Sequence, residues 1–385
     1  MTLLLFHRQV VNYDGRYVSD MPAYLMEVQG ISSGYDYPYP IMFWIAKMLS
    51  WFMPSQHALA ITLAGLNGLT VLLLKFYFDK YLQIQKGDVR RGCISTVMLF
   101  LVLMASMLFP PAYLGRYHDN AEAFLYRYRG VFSPNPWHNA TYLSARCFSV
   151  VAFFLTVDIL EKYEKEDCQL QRKYWTFSIF LLFATMTKPS FTLVLVSVCG
   201  IIMLCRLFRS RFRGWKAFLQ FGITFIPTFI DLLYQYRGVF VGQITEEESK
   251  GIGFGFLLAW KMLADNIPLA ILLAIAFPLA VLLFQRLSIR QNPPLLFAWQ
   301  FYVVSLVMLA FLYEKGYRIH HVNFAWGYMY GLFFLYVTSL FSLVQETKRR
   351  CQPLWQLGIQ WSLFAAHVVC GLDYFRVVLN GGLFS

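Results

Sequence analysis

The feature that most constrains this chain is a succession of apolar runs, each close to the length that crosses a lipid bilayer. A hydrocarbon core about 30 Å thick needs roughly 20 apolar residues in a helix. Runs near that length recur at 57–78, 93–114, 141–160, 174–187, 190–205, 217–234, 267–285, 294–313, 323–344 and 354–375. Only 14% of the 385 residues are charged, against about a quarter in a soluble protein. The expectation is an all-α, polytopic membrane helix bundle of about ten transmembrane helices. The fourth run is short, and Pro189 divides it from the fifth. One kinked helix from Tyr174 to Cys205 is the rival reading there.

Charge gives the orientation. The chain has 33 basic and 21 acidic residues, a net +12. Loops 79–92, 161–173, 206–216, 286–293 and 345–353 fall on one side and hold 18 Lys/Arg against 7 Asp/Glu. The loops opposite are close to balance, so the positive-inside rule assigns the first group to the cytoplasm. The basic excess is therefore a topological signal and does not point to nucleic acid. The run Arg206, Arg209, Arg211, Arg213 and Lys216 is its strongest marker, and is also a patch that anionic lipid could contact. Residues 1–54 then form an outer segment ahead of a helix bundle over 55–385. The apolar stretch Pro40–Met53 has 14 residues, contains Lys47 and is bracketed by Pro38, Pro40 and Pro54. It reads as a helix lying in the outer interface; as a span it would make eleven and turn the N-terminus inward. Seven Cys without a CxxC pair suggest neither zinc site nor disulfide framework, and no cleavable signal stands at the start.

Six of the seven His residues, and the polar motifs, fall on the outer side. Asp14 and Asp20 flank Arg16 and Tyr17, a spacing able to hold a sugar and take a proton from its hydroxyl. Asp20 before Met21-Pro22 also reads as a helix N-cap. A second segment carries Asp119 and Glu122, then Pro136-Trp137-His138-Asn139-Ala140-Thr141. There Trp137 reads as an anchor at headgroup level and Asn139 as a cap. The Asn139 triplet matches a glycosylation acceptor but lies too near the membrane to serve as one. At Thr187-Lys188-Pro189, the ammonium of Lys188 and the N-terminus of the following helix would together suit a phosphate; snorkelling to headgroups is the bland reading. A fourth segment, Glu314–Gly327, places Arg318 where it could clamp a phosphate oxygen, beside His320 and His321. Adjacent His side chains diverge on a regular element, so a charge-paired loop is favoured over a metal site.

In order along roughly the first 210 residues, these motifs resemble the GT-C glycosyltransferases, in the protein O-mannosyltransferase and aminoarabinose-transferase branch. Asp14-Gly15-Arg16-Tyr17 looks like the opening of that branch's first outer loop. Pro38-Tyr39-Pro40-Ile41-Met42-Phe43-Trp44 looks like its interfacial proline helix, Ala58–Phe78 is similar to the span after it, and Thr187-Lys188-Pro189 matches its Thr-Lys step. Gly15 stands where the family has Glu, which leaves Asp20 to supply the second carboxylate. The family's complete helix before that Asp is represented here by Thr2–Phe6 alone, so either such a helix lies upstream of Met1 or the chain departs from the family at this point.

The resemblance implies transfer of a sugar from a polyprenyl-phosphate donor to a glycan or protein acceptor outside a bacterial plasma membrane. Asp14 or Asp20 would be the base, and Lys188 with Arg318 would hold the phosphate. Arg16, Tyr17, Asp119, Glu122, Trp137, His138, Asn139 and His320 would line the substrate. Membrane lipid is a partner; no cofactor is required, although paired carboxylates leave room for a divalent cation. The alternatives are a polymerase or ligase acting on polyprenyl-linked glycans through outer Arg and His, and a transporter or flippase. The last would use ionisable residues within spans, for which Arg146, Asp158 and Asp231 come nearest.

Overall fold

The computed structural model describes residues 1–11, 17, 19–34, 37–85, 87–109, 130–164, 171–240, 251–286, 289–350 and 352–381. These residues are overwhelmingly helical; the one sheet among them is a pair of three-residue strands, β1 (Ile252–Phe254) and β2 (Leu312–Glu314). Among the described residues, seven helices are long and apolar enough to cross a membrane: α4 (Ser55–Tyr81), α6 (Ala140–Leu160), α8 (Ser190–Arg209), α11 (Ile267–Gln285), α12 (Pro293–Phe311), α13 (Phe324–Arg349) and α14 (Leu354–Leu379). A bent pair, α9 (Trp215–Ile223) and α10 (Ile226–Phe240), passes the same test when taken together and turns by 51° at its break. Two further apolar helices, α5 (Val89–Met104) and α7 (Arg172–Thr187), have 16 residues each. The chain is an integral membrane protein with an all-α fold.

Three short helices precede the bundle: α1 (Thr2–Val11), α2 (Met21–Gln29) and α3 (Ile41–Ser50). With ten residues α3 is about 15 Å long, half of a bilayer core. It buries Ile41, Met42, Phe43 and Ala46 and exposes Trp44 and Met48, the two-faced pattern of a surface helix. The helix begins directly after Pro40 and ends before Pro54, the prolines that bracket the stretch 40–53.

The residues group into two compact units that interleave along the chain. One comprises Met1–Val10, Asp20–Thr70 and Ala140–Ile252; the other comprises Val11–Ser19, Val71–Asn139 and Gly253–Ser385. In the first, α6 packs against α7, which also meets α3, α8 and α10. In the second, α12 and α13 form the closest pair, and α11 and α5 pack against α13 and α14. Lipid tails are as apolar as leucine, so helices associate through close packing and polar contacts more than through hydrophobic burial. Gly371 on α14 shows this, because a Cβ there would collide with the Met104 carbonyl at the end of α5.

At Pro189 and Pro278 the helical ladder is broken, and the two breaks are sealed differently. Pro189 has no N–H to offer the Thr185 carbonyl, which accepts instead from Gln235 Nε2 on α10 at 2.9 Å. A residue before proline is pushed out of the helical region, and Lys188 sits at φ −164° and ψ 117°. This separates α7 from α8, so the single kinked helix is not formed. Pro278 lies inside α11. The carbonyl it leaves without a donor, on Ala274, accepts from the Tyr336 hydroxyl at 2.7 Å. The displaced amide of Phe277 donates to His367 Nε2 at 3.3 Å, and the Leu273 carbonyl accepts from Leu108 N at 3.0 Å. His367 Nδ1 lies 2.6 Å from the Ser106 carbonyl. That set of partners fits a neutral ring with its proton on Nδ1.

Candidate functional site

Within the first unit, Asp20 and Lys188 are drawn into one polar cluster although 168 positions separate them. Asp20 opens α2 with Pro22 in the first turn behind it, yet its side chain makes no capping bond. The carboxylate instead accepts from the Tyr24 hydroxyl, one turn on, at 3.2 Å. Tyr24 is buried, and its hydroxyl also interacts with Thr141 at the start of α6. Thr141 in turn accepts from Lys188 Nζ at 3.1 Å. A relay of four side chains thus runs from an exposed carboxylate to a cation only 8% exposed. Burial pulls Lys188 down to about 8, while the Asp20 carboxylate works in the opposite direction. Burial and the negative charge of Asp20 hold the Tyr24 phenol well above its ordinary value. Tyr37 and Phe43 wall the Tyr24 ring, edge to face at 5.2 and 5.8 Å.

The arrangement has the parts needed to receive a phosphate next to a proton acceptor. Lys188 is extended because of Pro189, so its side chain leaves the α7 helix and reaches α6. A partly desolvated ammonium attracts an anion more strongly than one in water does. The exposed Asp20 carboxylate is accessible to a hydroxyl, and Tyr24 fixes one of its oxygens.

The second unit holds a different site. A cavity of about 190 Å³ is lined by the 130–138 segment, the loop after β2 and the ends of α13 and α14. His138 Nδ1 lies 3.2 Å from the Tyr374 hydroxyl, and its ring meets that of Trp326 at 5.6 Å. His320 and His321 are both exposed and both reach the lining. They end a 3₁₀ turn, Gly316–His321, that closes at Val322 in the left-handed region, φ 45°. Both residues border the cavity, and the adjacent pair does not join a third candidate metal ligand among the described residues.

The remaining expectations resolve unevenly. Trp137 is not a headgroup anchor: it is 2% exposed and packs edge to face on Phe375 at 5.0 Å. Asn139 is buried ahead of α6, its backbone N–H bonded to the Pro136 carbonyl at 3.1 Å, and offers no accessible amide for glycosylation. Arg318 Nε donates to Glu314 at 2.9 Å, and Asn323 Nδ2 donates to the same oxygen at 2.8 Å, the charge-paired loop foreseen as the simpler reading. Tyr17 is half-buried and belongs to the second unit. Asp14, Arg16, Asp119 and Glu122 lie outside the described residues. Among the described residues, no three His, Cys, Asp or Glu side chains converge as metal ligands would. Sequence reasoning missed Tyr24, Thr141 and Tyr374. Tyr24 could have been found, since it stands four residues after Asp20 on a helix; Thr141 and Tyr374 carry no local signal. Comparison of the chain with known protein families, curated proteins and solved structures finds no match.

Proposed function

We propose that the chain is a membrane glycosyltransferase of GT-C-like architecture. It would move a sugar from a polyprenyl-phosphate donor to an acceptor hydroxyl on the extracytoplasmic face of a bacterial plasma membrane. The observation that carries this reading is the cluster of Asp20, Tyr24, Thr141 and Lys188: one exposed carboxylate and one buried ammonium, bridged by two hydroxyls. In the reaction the acceptor oxygen attacks the anomeric carbon while its proton passes to the Asp20 carboxylate. The bond from that carbon to the phosphate oxygen breaks, and polyprenyl phosphate leaves with its charge held by Lys188. A phosphate leaving group needs little protonation, so one base and one cation cover the charge changes. The topology that goes with this reading has ten spans: the seven long helices, the bent pair, and α5 and α7. At 16 residues each, these last two cover about 24 Å. The basic loops face the cytoplasm, and α3 lies in the outer interface.

Donor binding tests the proposal directly. Polyprenyl phosphate should bind the full chain in nanodiscs, bind at least tenfold more weakly to Lys188→Ala, and be partly restored by Lys188→Arg. The same affinity in wild type and Lys188→Ala would make Lys188 a structural cation and remove the donor site from this cluster.

A further inference from the structure

In the first unit, the turn that joins α8 to α9 is a tightly bonded knot of chain. Every backbone N–H from Ser210 to Trp215 is hydrogen-bonded, either within the turn or to the end of α8. Phe212 N–H donates to the Leu207 carbonyl at 2.9 Å and Arg211 N–H to the Phe208 carbonyl at 3.0 Å, the paired bonds with which many helices end. Glycine normally holds the left-handed position of that motif. Here Arg211 holds it, at φ 52°, and Phe212 follows at φ 62°. A side chain in that region costs stability. The negative end of α8 favours cations, but Arg206 and Arg209 in its last turn already answer it. Arginine at 211 therefore stands against the preference of the local backbone, as residues do where the side chain serves a site.

We infer that this turn binds the headgroup of an anionic phospholipid through Arg209, Arg211 and Arg213. All three are exposed, whereas Arg206 turns toward the protein, where its Nη1 donates to the Leu160 carbonyl at 2.7 Å. Loops 161–173 and 206–216 together hold nine Lys/Arg and four Asp/Glu, so a surplus of five cations survives any pairing between them. Phe208, Phe212 and Trp215 alternate with the arginines and are 63%, 54% and 51% exposed. Such aromatics gain nothing from a free anion in water. They suit the boundary where phosphate meets acyl chain, with the indole at headgroup level. The turn lies at that boundary, because α8 is long and apolar enough to span and ends at Arg209. Guanidinium forks match phosphate oxygens, and basic side chains near a membrane surface attract its anionic lipids. Neither the glycosyl-transfer reading nor the choice of leaflet enters this assignment.

The test is fluorescence quenching by brominated lipid, on the full chain in phosphatidylcholine nanodiscs. Brominated phosphatidylglycerol or brominated phosphatidylcholine is included at equal mole fraction, and the Trp215 signal is isolated by difference from Trp215→Phe. The anionic lipid should quench Trp215 more strongly than the zwitterionic one. Salt at about 0.5 M should weaken that preference, because it screens exposed charge. Inorganic phosphate at constant ionic strength should leave it in place. The combined variant Arg209→Gln, Arg211→Gln, Arg213→Gln should abolish it. Arg211→Gly should lower it about fivefold, the worth of one basic residue near an anionic surface. Its melting temperature should equal or exceed that of wild type, since glycine suits the left-handed position. Size-exclusion profiles certify that each variant is folded. Four results would overturn the inference: equal quenching by the two lipids in wild type, an unchanged preference in either folded variant, loss of the preference to inorganic phosphate, or a melting temperature of Arg211→Gly below that of wild type.

Discussion

Both units contain a helix interrupted by proline, and the two interruptions serve different ends. At Pro189 the break falls between α7 and α8, and one side chain, Gln235, seals the carbonyl it releases. The residue that leaves helical geometry is a lysine, whose ammonium then joins the polar cluster with Thr141. At Pro278 the break lies inside α11, and Tyr336, His367 and the Leu108 amide occupy the displaced groups. The same covalent defect thus carries a lysine out of its helix toward Thr141 in one unit and ties four segments together in the other. What decides between them is the residue beside the proline, a lysine at 188 and a phenylalanine at 277, and the number of partners that close over the gap.

If that contrast is right, the largest effect belongs to the first unit. Asp20→Asn keeps the size of the side chain but cannot take a proton. Turnover should fall by about 10²–10⁴-fold, the usual contribution of a positioned base. Donor affinity should change far less, because the phosphate is assigned to Lys188 and not to Asp20. Near-normal transfer in Asp20→Asn would end the assignment of Asp20 as the base and return that role to Asp14.

His367→Leu probes the second unit and should act on stability instead. It strips an acceptor from the Phe277 amide and a donor from the Ser106 carbonyl, both buried. Orphaning two backbone groups costs about 2–6 kcal/mol. A clear drop in thermal midpoint, with donor affinity of the remaining folded protein unchanged, is expected. A specific loss of donor binding without loss of stability would mean that the second break also serves the site.

The pH response sharpens the same division. Burial places Lys188 at about 8, and only its protonated form attracts phosphate. Donor affinity should therefore be full below that pH and decline as pH rises through it, approaching tenfold per unit. A bound phosphate favours the ammonium and moves the transition upward, so binding takes up a proton in this range. Guanidinium stays charged throughout, and Lys188→Arg should flatten the profile. Calorimetric titration between pH 6.5 and 9.5 reads both effects; a flat wild-type profile would show that Lys188 carries no titrating contact with the donor.

How much of this was legible beforehand follows from what each feature depends on. Helix positions depend on local composition, and each of the ten apolar runs overlaps a described helix, although α5 stops at Met104 and the run 217–234 is split between α9 and α10. Starts such as Asn266 before Ile267-Pro268 and Asn292 before Pro293-Pro294 announce themselves, and both asparagines do cap, at 3.1 and 3.3 Å. Lys188 was visible because a cation next to proline between two apolar runs demands an anion or an interface. Its actual partner, Thr141, lies 47 residues away, and nothing in the sequence near either one encodes the pairing. Trp137 misled for the opposite reason: interfacial tryptophans are common, but the choice between headgroup and core is made by Phe375 on α14, far along the chain. The cavity of the second unit was legible only in fragments, His138 and His320, because its described lining is drawn from five separate stretches of the chain.

The smallest effect should come from Gln235→Leu, and it tests the idea that the Pro189 break is held by a single side chain. Leucine nearly preserves volume while removing the Nε2 donor that reaches both the Thr185 carbonyl and the Asp231 carboxylate, at 2.9 and 2.8 Å. Polar contacts between membrane helices are worth about 0.6 kcal/mol on average and at most about 1.7. A loss of stability near 1 kcal/mol is therefore expected, well below that of His367→Leu. The geometry of Lys188 depends on Pro189 and not on Gln235, because it is proline sterics that exclude the helical region. Donor affinity should accordingly survive Gln235→Leu with its pH profile unchanged. If the variant instead lost donor binding in step with Lys188→Ala, the seal itself would be positioning the lysine. The two proline breaks would then differ in the number of their partners but not in kind.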